Sequence, residues 1–169
     1  LTDTTYSNGI TIIGHTYCNS INNFPYVEEF YDGMPECWWQ EPIIGNSTWT
    51  AEDSVLVFNN NNNSTRLVLT PFSLSDSVYA TIKITLNNYS PTQPDALSIW
   101  YKTDNASEWK YLQRYTTNIN SEIIAVLPEL SSFYLVSLVA ETDNGAGISI
   151  EKISIDTYSN RRLIVASSA

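Results

Sequence analysis

The amino-acid sequence predicts an all-β protein built as an antiparallel sandwich. Short segments with alternating apolar and polar residues recur along the chain, and clusters of Asn, Asp, Ser and Gly separate them. No segment carries apolar residues at helical spacing over three turns, so no long helix is expected. Eight or nine strands spaced in this way favour two packed sheets over an open one.

Two segments are the clearest strand candidates. Val78–Leu86 alternates without a break, with apolar residues at the even positions, as a half-buried antiparallel strand does. Phe133–Ala140 is apolar at every position except Ser137, which is typical of a central strand covered on both faces. The other candidates are Ile10–Ile13, Ser54–Phe58, Arg66–Thr70, Leu97–Thr103, Lys110–Tyr115 and Glu122–Leu127.

The last strand candidate contains a break in its alternation. In Gly147–Ile155 the apolar residues are first Ile148 and Ile150, and then Ile153 and Ile155. The apolar positions change from even to odd across Glu151 and Lys152, which requires one extra residue in the strand. The sequence therefore predicts a β-bulge there, which either re-aims a side chain near a functional site or only bends an edge.

Charge and composition restrict the partners. The chain has 169 residues, which is one domain by default, and 43% of them are hydrophobic, enough for a core. Its formal net charge of −10 argues against nucleic acid and anionic membrane surfaces. No run approaches the ~20 apolar residues that a membrane span needs, so no membrane insertion is expected. Cations, neutral sugars and basic protein surfaces remain as partners.

Both cysteines lie in one block near the beginning of the chain. Cys18 and Cys37 flank a short apolar and acidic segment that contains Pro-Tyr-Val-Glu-Glu-Phe. Two cysteines in this arrangement are typical of a disulfide that fastens the beginning of an extracellular β-domain. We therefore predict a Cys18–Cys37 disulfide.

The same block carries a family resemblance. Its order of Cys, Phe-Pro-Tyr-x-Glu-x-Phe and Pro-x-Cys-Trp resembles the opening of MAM-like, cleaved-adhesin or choice-of-anchor-J modules of Bacteroidetes surface proteins. Later segments resemble further elements of that family in the same order: Gly45–Trp49, Arg66–Pro71, Leu97–Thr103, Glu108–Leu112 and Gly147–Ile153.

The resemblance implies a jelly-roll-like β-sandwich that is one non-catalytic module of a larger secreted or surface-anchored chain. The expected organisation is a module over 18–157, preceded by the tail of another module or a linker at 1–17 and followed by an exit linker at 158–169. An extracellular or cell-surface location follows from the same resemblance.

The resemblance also implies a structural calcium ion at Glu28 and Glu151. Calcium prefers six to eight oxygen ligands, and a bulged strand would add free carbonyls to these two carboxylates. The family has an acidic residue where this chain has Lys152. An ion pair between Glu28 and Lys152 is therefore the alternative to the metal, because buried charges are either paired or bound to a cation.

Five tryptophans raise the possibility of sugar binding, since aromatic faces pack against sugar rings. Trp38, Trp49 and Trp109 fall on structural positions of the family, so we expect them in the core. Trp39 is an extra tryptophan beside the expected one, and Trp100 shares a strand face with polar residues. Trp39 and Trp100 are the predicted ligand-binding residues.

The sequence gives little support for catalysis. Its one histidine, His15, lies in the expected linker, and two cysteines are too few for a structural zinc site. Acidic residues between Glu28 and Glu41 leave a glycoside hydrolase as a minor alternative. The predicted function is a non-enzymatic adhesion module that binds carbohydrate or protein. The main alternative is a spacer that positions neighbouring domains and binds nothing.

Overall fold

We describe a computed structural model of the chain. It describes residues 4–7, 10–13, 18–59, 62–74, 78–87, 95–116 and 122–159, with the strands of the first two ranges given by backbone alone. The regular elements of these residues are strands: β1 Thr4–Ser7, β2 Ile10–Ile13, β3 Tyr26–Glu28, β4 Trp39–Ile44, β5 Thr50–Glu52, β6 Val55–Phe58, β7 Asn63–Val68, β8 Phe72–Ser73, β9 Val78–Leu86, β10 Ala96–Lys102, β11 Lys110–Tyr115, β12 Glu122–Val126, β13 Phe133–Thr142 and β14 Ile148–Ser159.

The strands form two antiparallel sheets that face each other. The first has the order β12-β9-β14-β6-β5, with β3 also paired to β14, and the second has the order β11-β10-β13-β7-β4, with β8 also paired to β13. β1 and β2 form a separate two-stranded sheet. The predicted all-β, jelly-roll-like sandwich is confirmed. Both of its clearest strand candidates lie inside the sheets, as β9 and β13.

The core lies between the two sheets and follows the alternation in the sequence. Ile82 and Ile84 of β9 are fully buried, and so are Leu97 and Ile99 of β10 on the opposite sheet. Successive side chains of a strand point to opposite faces, so one face of each strand supplies the core and the other is left for solvent or ligand.

The predicted bulge in the last strand is present. Ile150 of β14 pairs with Leu86 and Lys152 pairs with Thr85, which leaves Glu151 without an opposite residue. The extra residue keeps the apolar residues on both sides of it in the core, where Ile150 and Ile153 are both fully buried.

The segment before β4 is fastened by the predicted disulfide. Cys18 and Cys37 are bonded, with their Cα atoms 5.8 Å apart. Phe30 lies between them with a positive φ of 60° and is buried, which turns its ring inward. Trp38 packs edge-on against that ring, with centroids 5.8 Å apart. This apolar contact and the disulfide together hold the segment on the sandwich.

A buried carboxylate organises the turn between β13 and β14. Asp95 is fully buried, and its two oxygens accept hydrogen bonds from the backbone N–H groups of Asp143, Gly145 and Gly147 at 2.7–3.1 Å. A Cβ on Gly145 would lie 2.1 Å from an oxygen of Asp95, so a glycine is needed there. This interaction was not predicted from the sequence.

The ends of the chain are described only in part. β14 continues to Ser159, and residues 160–169 lie outside the described residues, as does His15. No helix of the described residues is long and apolar enough to cross a membrane. The assignment of residues 1–17 and 158–169 to linkers or a neighbouring module stays a prediction.

Candidate functional site: an aromatic face on one sheet

The second sheet presents aromatic side chains on its outer face, the face turned away from the core. In β10 the core residues are Leu97, Ile99 and Tyr101, so Trp100 and Lys102 point outward. Trp100 is half-buried, and its indole N–H donates to the hydroxyl of Ser98 at 2.8 Å. The predicted ligand-binding residue Trp100 is therefore on the outside of the sandwich.

Strand register places both predicted ligand-binding tryptophans in one row across this face. Trp39 of β4 pairs with Val68 of β7, Val68 pairs with Ser137 of β13, and Ser137 pairs with Trp100 of β10. Residues directly opposite one another in adjacent strands share a face. Three strand spacings separate the Cα atoms of Trp39 and Trp100 by about 14 Å.

The row continues to the edge of the sheet. Trp100 pairs with Tyr111 of β11, and the two rings meet edge to face with centroids 5.4 Å apart. Tyr111 is 55% exposed, the most exposed aromatic residue of this face. We call Trp39, Trp100 and Tyr111 the aromatic row. The sequence did not point to Tyr111, since its partner strand has to be known before the row can be seen.

Arg66 lies at the centre of the face. Its guanidinium carbon is 5.2 Å from the ring centroid of Trp100 and 4.6 Å from that of Trp109, at distances typical of cation–π contacts. Nη1 donates to the hydroxyl of Ser137 at 2.9 Å, and Nε lies 3.7 Å from a carboxylate oxygen of Glu41. Ser137, the one polar residue in the predicted central strand, is thus the acceptor that fixes this arginine.

Burial of Arg66 has an electrostatic consequence. Its side chain is only 11% exposed, and this desolvation lowers the pKa of the guanidinium, while the nearby Glu41 carboxylate raises it in part. Val68 and Ser137 beneath it are fully buried although they lie on the outer side of the sheet. Arg66 and the tryptophan rings around it therefore cover Val68 and Ser137, and their mutual contacts hold them in place.

Trp109 does not lie in the core, and this corrects the prediction from the family position. It is half-buried between β10 and β11, with the charged ends of Arg66 and Lys102 both 4.6 Å from its ring centroid. Motif position gives no information on which face a loop residue covers, and here the loop folds onto the outer face. Trp38 and Trp49 are buried as predicted, and the indole N–H of Trp49 donates to the carbonyl of Thr65 at 3.1 Å.

Polar groups surround the aromatic row. The indole N–H of Trp39 donates to Glu41 at 3.3 Å. Arg114 and Glu141, further along the same face, form an ion pair at 2.8 Å. Flat apolar rings beside charged and hydroxyl groups match the two faces of a sugar, which offers C–H groups on its ring face and hydroxyls around its edge.

A cleft of about 240 Å³, the end cleft, lies at one end of this face. It is lined by Ile44, Asn62, Asn63, Ser64, Glu141, Thr142 and Asp143. Ile44 pairs with Ser64, and Ser64 pairs with Glu141, so the cleft follows the sheet one step beyond Arg66. Its lining combines amide, hydroxyl and carboxylate groups with apolar surface.

The two carboxylates of the expected calcium site are placed in different surroundings. Glu28 accepts a hydrogen bond from the backbone N–H of Phe30 at 2.7 Å and one from the Tyr26 hydroxyl at 3.4 Å. Burial raises the pKa of Tyr26 to about 12, with the Glu28 charge adding to the effect. Glu151 is exposed at the bulge. Within the described residues, no group of three or more His, Cys, Asp or Glu side chains is arranged to hold a metal ion.

Glu151 belongs instead to a second cleft, also of about 240 Å³. This acidic cleft is lined by Glu29, Tyr31, Asp53, Ser54, Val55, Asn87 and Glu151. The negative charge of Glu29 raises the pKa of Tyr31, with Glu151 contributing less. Among the described ion pairs, Glu28 is not joined to Lys152, so the alternative of a Glu28–Lys152 pair is not realised. Calcium at Glu28 and Glu151 stays a prediction.

Comparisons with known proteins find similarity at the level of structure. No protein-family model matches the chain, and no curated protein matches it. A cleaved adhesin domain of Lys-gingipain from Porphyromonas gingivalis is similar over 82% of this chain and 99% of that one, with 11% identity and a TM-score of 0.48. The xylan-binding module CBM15 is similar over 78% and 95%, with 10% identity and a TM-score of 0.46.

A chitosan-binding module of a Paenibacillus chitosanase/glucanase is similar over 61% of this chain and 76% of that one, with 12% identity and a TM-score of 0.44. These likenesses are distant. Membership of the MAM-like or choice-of-anchor-J family therefore stays a resemblance, and the function has to be derived from the geometry of the face.

Proposed function

We propose that this chain is a non-catalytic carbohydrate-binding module whose ligand lies on the aromatic row of the second sheet. The observation that supports it most strongly is the alignment of Trp39, Trp100 and Tyr111 on one outer face by strand register. A core needs only the inner face of each strand. Aromatic rings on the outer face therefore call for a separate explanation, and contact with sugar rings supplies one.

The outer face of the first sheet provides an internal comparison. The outward residues of its strand β9 are Tyr79, Thr81, Lys83 and Thr85, and Lys83 forms an ion pair with Glu122 of β12 at 3.0 Å. This face also has apolar residues, since Tyr79 pairs with Tyr158 of β14 and Ile124 of β12 is 60% exposed. The two outer faces differ in their tryptophans: Trp39, Trp100 and Trp109, which lie outside the core, are all on the second sheet, and this difference favours a ligand there.

The same contrast weighs against the spacer alternative. A spacer is expected to bury its aromatic residues and to present polar residues on both outer faces, whereas Tyr111 is exposed and Trp39 and Trp100 are half-buried. Catalysis is not favoured on this face either. Its carboxylates Glu41 and Glu141 are each held by an arginine, at 3.7 and 2.8 Å.

The disulfide supports an extracellular setting for this function. Cys18 and Cys37 are bonded, and disulfides persist mainly in secreted and cell-surface proteins. We place the module in a larger secreted or surface-anchored bacterial chain, where it would bring its neighbours to a polysaccharide. Adhesion to a protein ligand through the same aromatic face is the alternative within this proposal.

The proposal is tested with soluble polysaccharides and tryptophan variants. The purified chain is run in affinity gels containing xylan, mannan, mixed-linkage glucan, polygalacturonate or chitosan, and is titrated calorimetrically with any that retard it. Trp39→Ala and Trp100→Ala are each expected to weaken binding at least about tenfold, as for aromatic residues at the centre of an interface.

Two variants outside the aromatic face serve as controls. Tyr31 is 75% exposed at the acidic cleft, and Ile124 is 60% exposed on β12 of the other sheet. Tyr31→Ala and Ile124→Ala should bind as the wild type does. Retention of wild-type affinity in both tryptophan variants would contradict the proposed face. If the wild type binds none of the polysaccharides, the result would count against a carbohydrate ligand and direct the search to protein ligands.

A further inference from the structure

The aromatic row extends from one edge of the second sheet to the other. Trp39 lies on β4 and Tyr111 on β11, and these strands are the two ends of the strand order. Building on the proposed function, we infer that the ligand is an internal stretch of a linear, uncharged polysaccharide. This stretch lies across the strands and contacts Trp39 and Trp100 at the same time.

The direction follows from where aromatic residues repeat. Across the strands, the row contains Trp39, Trp100 and Tyr111 at one register level. Along β10, the outward neighbours of Trp100 are Ser98 and Lys102, which offer no flat ring. Trp109 lies beside Lys102, but its ring is already in contact with two of the protein's own cations. A ligand that follows the rings must cross the strands.

The distance between the tryptophans sets the length of the ligand. Trp39 and Trp100 are separated by about 14 Å, which is longer than a disaccharide placed flat on one ring can bridge. Both ends of the row lie at sheet edges, so a chain that crosses the face continues past it in both directions. Such a row suits the middle of a long chain, whereas recognition of a chain end requires a closed pocket.

The charges of the face favour an uncharged chain. Arg66 pairs with Glu41 and Arg114 with Glu141, and Lys102 lies over the ring of Trp109, so the two arginines that would bind an acidic sugar are already paired with carboxylates. A chain of uronic acids is also repelled by the protein as a whole, because both are negatively charged and the protein has a net charge of −10. A basic sugar, in turn, would lie against the guanidinium of Arg66 at the centre of the face. Hydroxyl groups can bond to both the guanidinium and the carboxylate between the two tryptophans.

A length series tests the inference. The neutral polysaccharide that binds most tightly is replaced by its own oligosaccharides, from disaccharide to hexasaccharide, and each is titrated calorimetrically against wild type, Trp39→Ala, Trp100→Ala and the double variant. Two contacts linked by one chain act together, so the hexasaccharide should bind at least about tenfold more tightly than the disaccharide. Each single variant should bring the hexasaccharide down to the affinity of the disaccharide.

The controls separate this inference from the proposed function. Melting temperatures are compared first, and Trp39→Phe and Trp100→Phe, which keep an aromatic ring, should retain most of the length dependence. Tyr31→Ala should behave as wild type. Two outcomes would overturn the inference that the chain crosses the strands but leave a sugar-binding module. In the first, the disaccharide binds as tightly as the hexasaccharide. In the second, Trp39→Ala binds oligosaccharides of every length as wild type does, while Trp100→Ala does not.

A direction along the strands gives a different pattern. A ligand running from Trp100 past Arg66 into the end cleft would depend on Glu141 and Asp143 and not on Trp39. Loss of binding in Asp143→Ala together with full binding in Trp39→Ala would therefore overturn the inference. Tighter binding of polygalacturonate or chitosan than of every neutral chain would overturn its uncharged character. Absence of binding to every chain would overturn the proposed function as well.

Discussion

Asp95 shows how one residue can fix a turn. Its carboxylate is fully buried and accepts three backbone N–H groups from the segment between β13 and β14. We expect Asp95→Ala to lower the free energy of unfolding by about 3 kcal/mol, because three backbone donors lose their acceptor and the N–H of Gly147 is buried. Chemical denaturation followed by tryptophan fluorescence measures this loss.

Asp104 is the matched control for Asp95. Its carboxylate also accepts backbone N–H groups, from Ala106 and Ser107, but it lies on the surface. The Ser107 hydroxyl and backbone hold its pKa below the ordinary value. In Asp104→Ala, water can replace the lost acceptor, so the change in melting temperature should be far smaller than in Asp95→Ala. Equal losses in the two variants would show that burial does not matter at Asp95.

Two tyrosines predict the response of the fold to alkali. Burial is the largest cause that raises the pKa of Tyr26 and of Tyr134, each to about 12, and Glu28 adds to the effect at Tyr26. An unfolded tyrosine ionises near pH 10. The stability linked to these two hydroxyls is therefore complete below pH 10 and is lost as the pH rises towards 12.

The alkaline transition is measured by tyrosinate absorbance together with circular dichroism. Tyr26 and Tyr134 should be among the last tyrosines to ionise, and only as the β-sheet signal disappears. Tyr134→Phe should remove part of the late absorbance change. Ionisation of every tyrosine near pH 10 with the fold intact would contradict the assignment.

The elements show which features of the fold can be predicted from sequence. β9 and β13 were predicted because each carries an unbroken pattern, and the bulge in β14 because the apolar residues change parity. β1, β4, β5 and β8 were missed. β4 contains Pro42 and a register shift beside it, and β5 has only three residues, so neither displays an alternation long enough to detect.

The bulge leads to a prediction on deletions in β14. Removal of Glu151 would restore a regular ladder, because Ile150 and Lys152 already pair with adjacent residues of β9. The variant should remain folded with a modest loss of melting temperature. Removal of Ser154 would instead shift Ile155 to the opposite face, and this variant should fail to fold. Equal tolerance of the two deletions, judged by solubility and circular dichroism, would contradict this account.

The disulfide should stabilise the segment that leads into β4. It joins residues nineteen positions apart, and closing a loop of this size stabilises the fold by about 3 kcal/mol on the chain-entropy model. A Cys18→Ala, Cys37→Ala double variant should lose about that amount in chemical denaturation. Addition of a reductant should lower the stability of the wild type and leave the double variant unchanged. Full stability of the double variant would show that the contact of Phe30 with Trp38 is sufficient.

The candidate site is a property of the whole sheet, which explains why the sequence predicts only part of it. Trp39 was predicted because it is an extra tryptophan beside the position that the family resemblance explains, and Trp100 from the parity of its strand. Their alignment depends on the pairing of β4, β7, β13 and β10, which are far apart in the chain. Arg66 and Tyr111 become part of the site only through those pairings, because neither has a distinctive local pattern.

Net charge is the property of the whole molecule that predicts its response to salt. With a net charge of −10, the acidic side chains repel one another in the folded state, and Glu29, Asp53 and Glu151 lie together in the acidic cleft. Sodium chloride should therefore raise the melting temperature gradually as screening increases.

The predicted calcium site adds a sharper expectation. At equal ionic strength, calcium should raise the melting temperature further and saturate, and Glu28→Gln and Glu151→Gln should each remove the extra increase. If sodium and calcium act equally in the wild type, the acidic residues contribute only to the general charge, and the calcium prediction is wrong.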